Sequence, residues 1–113
     1  MIAKDLFKGT IRTIVLQLLA EQGKMYGYEI MQMIEKKSDG KIKLTFGSLY
    51  PILHKLESEG LINSESEYYG KRLRKYYILT ENGVKEKESK VLEMKEFIKT
   101  LNGLLDEGGL IHA

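Results

Sequence analysis

Residues 61–80 read LINSESEYYGKRLRKYYILT, two runs rich in Tyr, Ile and Leu on either side of Gly70-Lys71-Arg72. The apolar and aromatic content of each run suits a pleated, half-buried strand, and the glycine between them supplies a turn. The expectation is a hairpin with strands over 61–69 and 73–80. Four of its five residues from Lys71 to Lys75 are basic, so the hairpin carries a cationic tip. Tyr76 and Tyr77 must point to opposite faces of their strand, one toward a core and one away from it.

Upstream, the periodicity changes from two to 3.6. Ile11, Ile14, Val15, Leu18 and Leu19 follow the i, i+3, i+4, i+7, i+8 spacing of one helical face, which Gly23 ends. Asp5 and Thr10 are both candidates to cap its start. A second helix over 26–37 buries Ile30, Met33 and Ile34 before Ser38-Asp39-Gly40 breaks it, and Lys41-Ile42-Lys43-Leu44 reads as an extended linker. A third helix places Leu49, Ile52, Leu53 and Leu56 on one face and stops at Gly60. Its start has two readings. With Thr45 as N-cap, Pro51 falls in the second turn and bends the helix; with Ser48 as N-cap, Pro51 sits harmlessly in the first.

Downstream of the hairpin, a long helix begins near Glu81. Val84, Val91, Met94, Ile98, Leu101 and Leu105 line a seam that only Lys87 interrupts. A narrow apolar seam with charged flanks calls for a partner helix. The fold class expected is therefore mainly α with a small β-hairpin: a winged helix-turn-helix plus a long C-terminal helix. It divides the chain into a winged-helix unit over 1–80, a dimerisation helix over 81–107, seamed by Val91, Met94, Ile98, Leu101 and Leu105, and a frayed tail over 108–113.

Composition narrows the function. The 113 residues, 42% of them hydrophobic, suit one small domain. No cysteine is present, which removes disulfides and thiolate metal sites. No stretch is long and apolar enough to span a membrane, and the short run 14–20 lacks a cleavage signal, so the expected location is the cytoplasm. The two histidines, His54 and His112, are joined by no paired carboxylates, nucleophile motif or phosphate-cradling glycine loop, so neither an enzyme nor a cofactor nor a metal is expected.

The net charge of +2 is uninformative, but its distribution is not. Residues 40–56 and 68–79 contain no acid, and between them they hold Lys41, Lys43, Lys55, Lys71, Arg72, Arg74 and Lys75. Two basic islands in an otherwise balanced chain point to a localised anionic partner. The third helix adds Thr45, Ser48, Tyr50, His54 and Lys55 on faces away from its apolar stripe, all able to hydrogen-bond phosphates or base edges. Lysines on a hairpin also protect an edge strand from aggregation, yet these cations bunch at one tip instead of spreading along an edge. Double-stranded DNA is the partner expected for Thr45, Ser48, Tyr50, His54, Lys55, Lys71, Arg72, Arg74 and Lys75. A protein-interaction module of the same shape is the competing reading.

Tyr26-Gly27-Tyr28-Glu29-Ile30, the run from Gly47-Ser48-Leu49-Tyr50-Pro51 to Gly60-Leu61-Ile62, and Gly70-Lys71-Arg72-Leu73-Arg74-Lys75-Tyr76-Tyr77-Ile78-Leu79-Thr80 with Gly83 after it together resemble PadR-type transcriptional regulators across roughly residues 6–83. The resemblance implies a dimeric repressor that binds a palindromic operator, of the short subfamily with a single C-terminal helix. Some members of that subfamily sense planar drugs between their first and last helices, where an aromatic, often tryptophan, stacks on the compound. By that resemblance Met94 and Phe97 are the candidates here for a small aromatic effector, although the chain has no tryptophan.

Overall fold

The computed structural model of the chain describes residues 9–106. Its elements follow in the order α1 (Thr10–Gln22), β1 (Lys24–Tyr26), α2 (Gly27–Lys37), α3 (Phe46–Ser58), β2 (Ile62–Tyr69), β3 (Arg72–Leu79) and α4 (Glu81–Leu105). The helix, helix, helix, hairpin, long-helix order expected from periodicity is the order observed. The expected tail and the candidate cap Asp5 lie outside the described residues.

One core joins the elements. Ile11, Val15, Leu16, Leu18 and Leu19 of α1 meet Ile30 and Ile34 of α2, Leu49, Leu53 and Leu56 of α3, and Met25, Leu61, Ile62 and Tyr77 from the sheet and its approach. Ile14, Met33 and Ile52 pack at its margin, only partly buried. Gly9 occupies the N-cap of α1 without a side-chain bond, and Thr10, one of the two candidate caps, is instead the first helical residue.

The sheet has three strands in the order β1-β3-β2, all antiparallel, one more than the sequence announces. The added strand is the three residues of β1, which pair Lys24 with Ile78 and Tyr26 with Tyr76. A segment this short has no period of its own, and only the edge of β3 makes it a strand. It also shifts the start of α2 by one residue: Tyr26 becomes the N-cap, its backbone N–H donating to the Glu29 carboxylate at 3.1 Å.

The start of α3 settles on Thr45. Its hydroxyl accepts the Ser48 N–H at 3.2 Å, while the Thr45 N–H donates to the Ser48 hydroxyl at 3.1 Å. This reciprocal capping box satisfies two orphan donors at once, and it leaves Pro51 inside the helix, in its second turn, where the helix does without one donor. Thr45→Ala is expected to lower stability by about 1 kcal/mol, read as a fall in melting temperature of roughly 5 °C. An unchanged melting curve would show that the cap adds nothing. At the other end the Gly60 N–H donates to the Glu57 carbonyl and the Leu61 N–H to the Leu56 carbonyl, both at 3.0 Å. That pairing is a Schellman motif, and Gly60 at φ +75° fills its left-handed position.

The turn of the hairpin is tighter than its sequence suggests. Tyr69 pairs with Arg72, so Gly70 and Lys71 alone form the loop and Arg72 is already in β3. Thr80 leaves the sheet as the N-cap of α4, its hydroxyl accepting the Gly83 N–H at 3.0 Å and donating to the Gly60 carbonyl at 2.6 Å. The corner after α3 and the start of α4 are thereby tied together.

The 25 residues of α4 span roughly 38 Å, about twice the length of the 13-residue α1 on which the helix packs. Its seam is covered unevenly as a result. Val91 and Met94 are half-buried, whereas Ile98, Leu101 and Leu105 are exposed, together with Phe97 and Leu104 on the same side. No helix among the described residues is long and apolar enough to cross a membrane.

Candidate nucleic-acid interface

With its apolar stripe in the core, α3 turns Thr45, Ser48, Tyr50, His54 and Lys55 outward, each of them exposed. Thr45 and Ser48 use their hydroxyls in the cap and crowd at the helix N-terminus, where unpaired N–H groups and the helix dipole favour an anion. Phe46, which the sequence reading passes over, extends this surface. Its ring stacks on Tyr50 with centroids 5.4 Å apart and planes 20° from parallel, and Tyr50 in turn lies 6.1 Å from His54. The result is a row of rings at i, i+4 and i+8. The signal for Phe46 was available: it stands four residues before Tyr50, on the same helical face.

The row rests against the beginning of α2. A Cβ built on Gly27 would lie 3.7 Å from the Phe46 ring and 3.8 Å from the Tyr50 hydroxyl, so the two helices approach closely there. Tyr28 is exposed beside them, while Tyr26 is half-buried.

Strand alternation divides the four wing cations between two faces. Leu73, Lys75 and Tyr77 share the face toward α3, and Tyr77 is the core member expected of the tyrosine pair, 1% exposed. Burial pushes the Tyr77 hydroxyl pKa up, with Tyr50 and the Glu57 charge adding to the effect. Arg72, Arg74 and Tyr76 share the opposite face. Lys71 stands in the turn between them.

These cations also differ in what holds them. Lys75 lies 3.9 Å from the Glu57 carboxylate of α3, which also accepts the Ser64 hydroxyl of β2 at 2.7 Å. Glu57 thus joins α3 to both wing strands. The Arg74 guanidinium lies over the rings of Tyr26 and Tyr69. Lys71 and Arg72 are exposed and form no ion pair among the described residues. The acids of β2 are occupied elsewhere: Glu67 is hydrogen-bonded to Lys24, and Glu65 lies 4.0 Å from the same ammonium. That contact with Lys24 lowers the Glu67 pKa, and the carboxylate in turn raises that of Lys24. Lys41, Lys43 and Lys55 are likewise exposed and without an ion pair among the described residues.

Over residues 15–89 the chain matches the Transcriptional regulator PadR-like family. It belongs to that family. This PadR-like regulator is 34% identical to a transcriptional regulator from Clostridium thermocellum, whose structure superposes with a TM-score of 0.80 over 94% of this chain and 100% of the other. It is 31% identical to the uncharacterized protein X of Lysinibacillus sphaericus over 112 residues, 96% of this chain and 98% of that one. It is also 32% identical to the transcriptional regulator YqjI of Escherichia coli strain K12 over 94 residues, 80% of this chain but only 44% of that protein. A PadR-like chain is a transcriptional regulator and not an enzyme, and membership implies DNA binding. The fold is accordingly the winged helix expected, with its long C-terminal helix in place.

Proposed function

We propose that this PadR-like chain is a repressor that binds a palindromic operator as a homodimer, with α3 in the major groove and the wing tip on the flanking backbone. The observation that carries the reading is the pairing of two free cations, Lys71 and Arg72, at the tip of a hairpin that Glu57 fastens to α3. A helix N-terminus bearing Thr45 and Ser48 suits base edges or phosphates, and the ring row of Phe46, Tyr50 and His54 suits thymine methyls and the sugar edge. Lys55 adds a backbone contact from the flank of α3. The exposed outer half of the α4 seam, Ile98, Leu101 and Leu105, supports pairing with a second copy, which would present two such units to two half-sites. Such a target places the protein with the chromosome, in the cytoplasm.

The test is a salt titration on a duplex enriched from a random pool. Each phosphate neutralised contributes to the slope of log K against log salt, so Lys71→Ala and Arg72→Ala should each flatten it by roughly 0.9 for every copy of the residue that touches DNA. Slopes identical to wild type for both substitutions, or a pool in which no duplex is enriched, would sink the proposal.

A second reading concerns control. A groove between α1 and α4 is lined by Thr13, Met94, Phe97, Ile98 and Leu101 among others, which places both candidate effector residues at one opening. A planar aromatic compound bound there would stabilise the fold by linkage. A melting temperature unmoved across a diverse set of such compounds removes this reading and leaves the first intact.

A further inference from the structure

Of the four wing cations, Arg74 has a setting unlike the rest. Its guanidinium carbon sits 4.3 Å from the Tyr26 ring centroid and 4.0 Å from the Tyr69 ring centroid. Tyr69 closes β2 beside the wing turn, whereas Tyr26 ends β1 and caps α2. A single planar cation therefore spans from the body of the domain to the free end of the hairpin. The Tyr26 ring is itself fixed by an edge-on contact with Tyr76, centroids 5.5 Å apart at 73°.

The nearest alternative partner is absent from this arrangement. Glu67 stands directly opposite Arg74 in the strand register, yet its carboxylate is hydrogen-bonded to Lys24, and Arg74 forms no ion pair among the described residues. Rings rather than an acid hold the guanidinium. Half-buried, it is also the least exposed of the four cations. Lys71 and Arg72, by contrast, stand beyond the residues that β1 pairs, where the wing is only two strands wide, and a two-stranded ribbon is marginal by itself.

We propose that Arg74 is a positioning residue for DNA binding: clasped between Tyr26 and Tyr69, it sets the inclination of the wing so that Lys71 and Arg72 meet the backbone, and it makes no phosphate contact itself. The inference rests on the DNA reading above and narrows it. Lysine cannot take this place, because a compact ammonium lacks the flat surface that lies against two rings.

The experiment compares salt titrations of Lys71→Ala, Arg72→Met, Arg74→Met, Tyr69→Ala and the Arg74→Met/Tyr69→Ala double variant on the selected duplex. Tyr69 is 64% exposed, so its truncation leaves the core untouched and guards against a variant that merely unfolds. Arg74→Met and Tyr69→Ala are each expected to weaken binding about fivefold and to flatten the salt slope alike, because either one releases the wing that carries Lys71 and Arg72, and the double variant no further than either alone. Arg74→Lys is expected to behave like Arg74→Met, and amide exchange along the wing to quicken in all three. A slope lowered by roughly 0.9 per copy in Arg74→Met but unchanged in Tyr69→Ala, or losses that add in the double variant, overturns the proposal by marking Arg74 as a phosphate ligand. Unchanged slopes in both Arg72→Met and Lys71→Ala overturn the DNA reading itself, and this inference with it.

Discussion

Gly83→Ala is expected to lower the melting temperature by roughly 10 °C or more, although alanine is the better helix former by about 1 kcal/mol. A Cβ at this position would stand 2.0 Å from the Leu61 carbonyl oxygen, 3.0 Å from its carbon and 3.1 Å from a Leu79 methyl. A flexible side chain could yield to such an intrusion; this carbonyl cannot. It accepts the Thr80 N–H at 3.1 Å, and the N–H of the same residue completes the Schellman corner after α3. The start of α4 must then back away from the sheet, losing the Thr80 cap and opening the core beside Leu61, a cost of about 2–3 kcal/mol or more. Gly103→Ala is the control. It lies in the same helix with open space where its Cβ would go, so a small rise is expected there. Thermal unfolding of the two variants measures the difference, and a Gly83→Ala protein as stable as wild type would refute the close approach.

The second large effect concerns pairing. Ile98→Glu with Leu101→Glu puts two charges on the uncovered half of the α4 seam, where Ile98 is 51% exposed and Leu101 37%. Neither residue belongs to the core, so the winged-helix unit should keep its melting curve. On the proposed homodimer, what should fail is association, seen as a halved mass in light scattering. Because linked half-site contacts gain from effective concentration, affinity for a full palindrome should drop at least about a hundredfold while binding to a single half-site barely changes. A variant that stays dimeric locates the pairing surface elsewhere.

Sequence periodicity made the helices readable because their burial is local. Ile11, Val15, Leu18 and Leu19 repeat at the spacing of one helical face, and that face is the one the core takes. β1 escaped for the opposite reason: Lys24, Met25 and Tyr26 are a strand only because β3 lies alongside. The cap of α3 stayed open because Thr45 and Ser48 are both good N-caps, and the choice falls to a bond between them that no composition displays. The wing cations were legible as a cluster, and strand alternation already separates Arg72 and Arg74 from Lys75. The clasp on Arg74 was not legible, since Tyr26 arrives from the other end of the domain through a strand that itself went unread. Phe46 was missed although its spacing from Tyr50 was in plain view.

Glu57 gives the molecule a fixed gauge. Because one carboxylate engages both wing strands from α3, the spacing between the helix and the lower part of the hairpin is held, while the tip takes its inclination from Arg74, so on the DNA reading the duplex must conform to that spacing. Sites whose grooves already have the matching width would bind at little elastic cost, while stiff or misproportioned sequences would be rejected even at base pairs that no side chain touches.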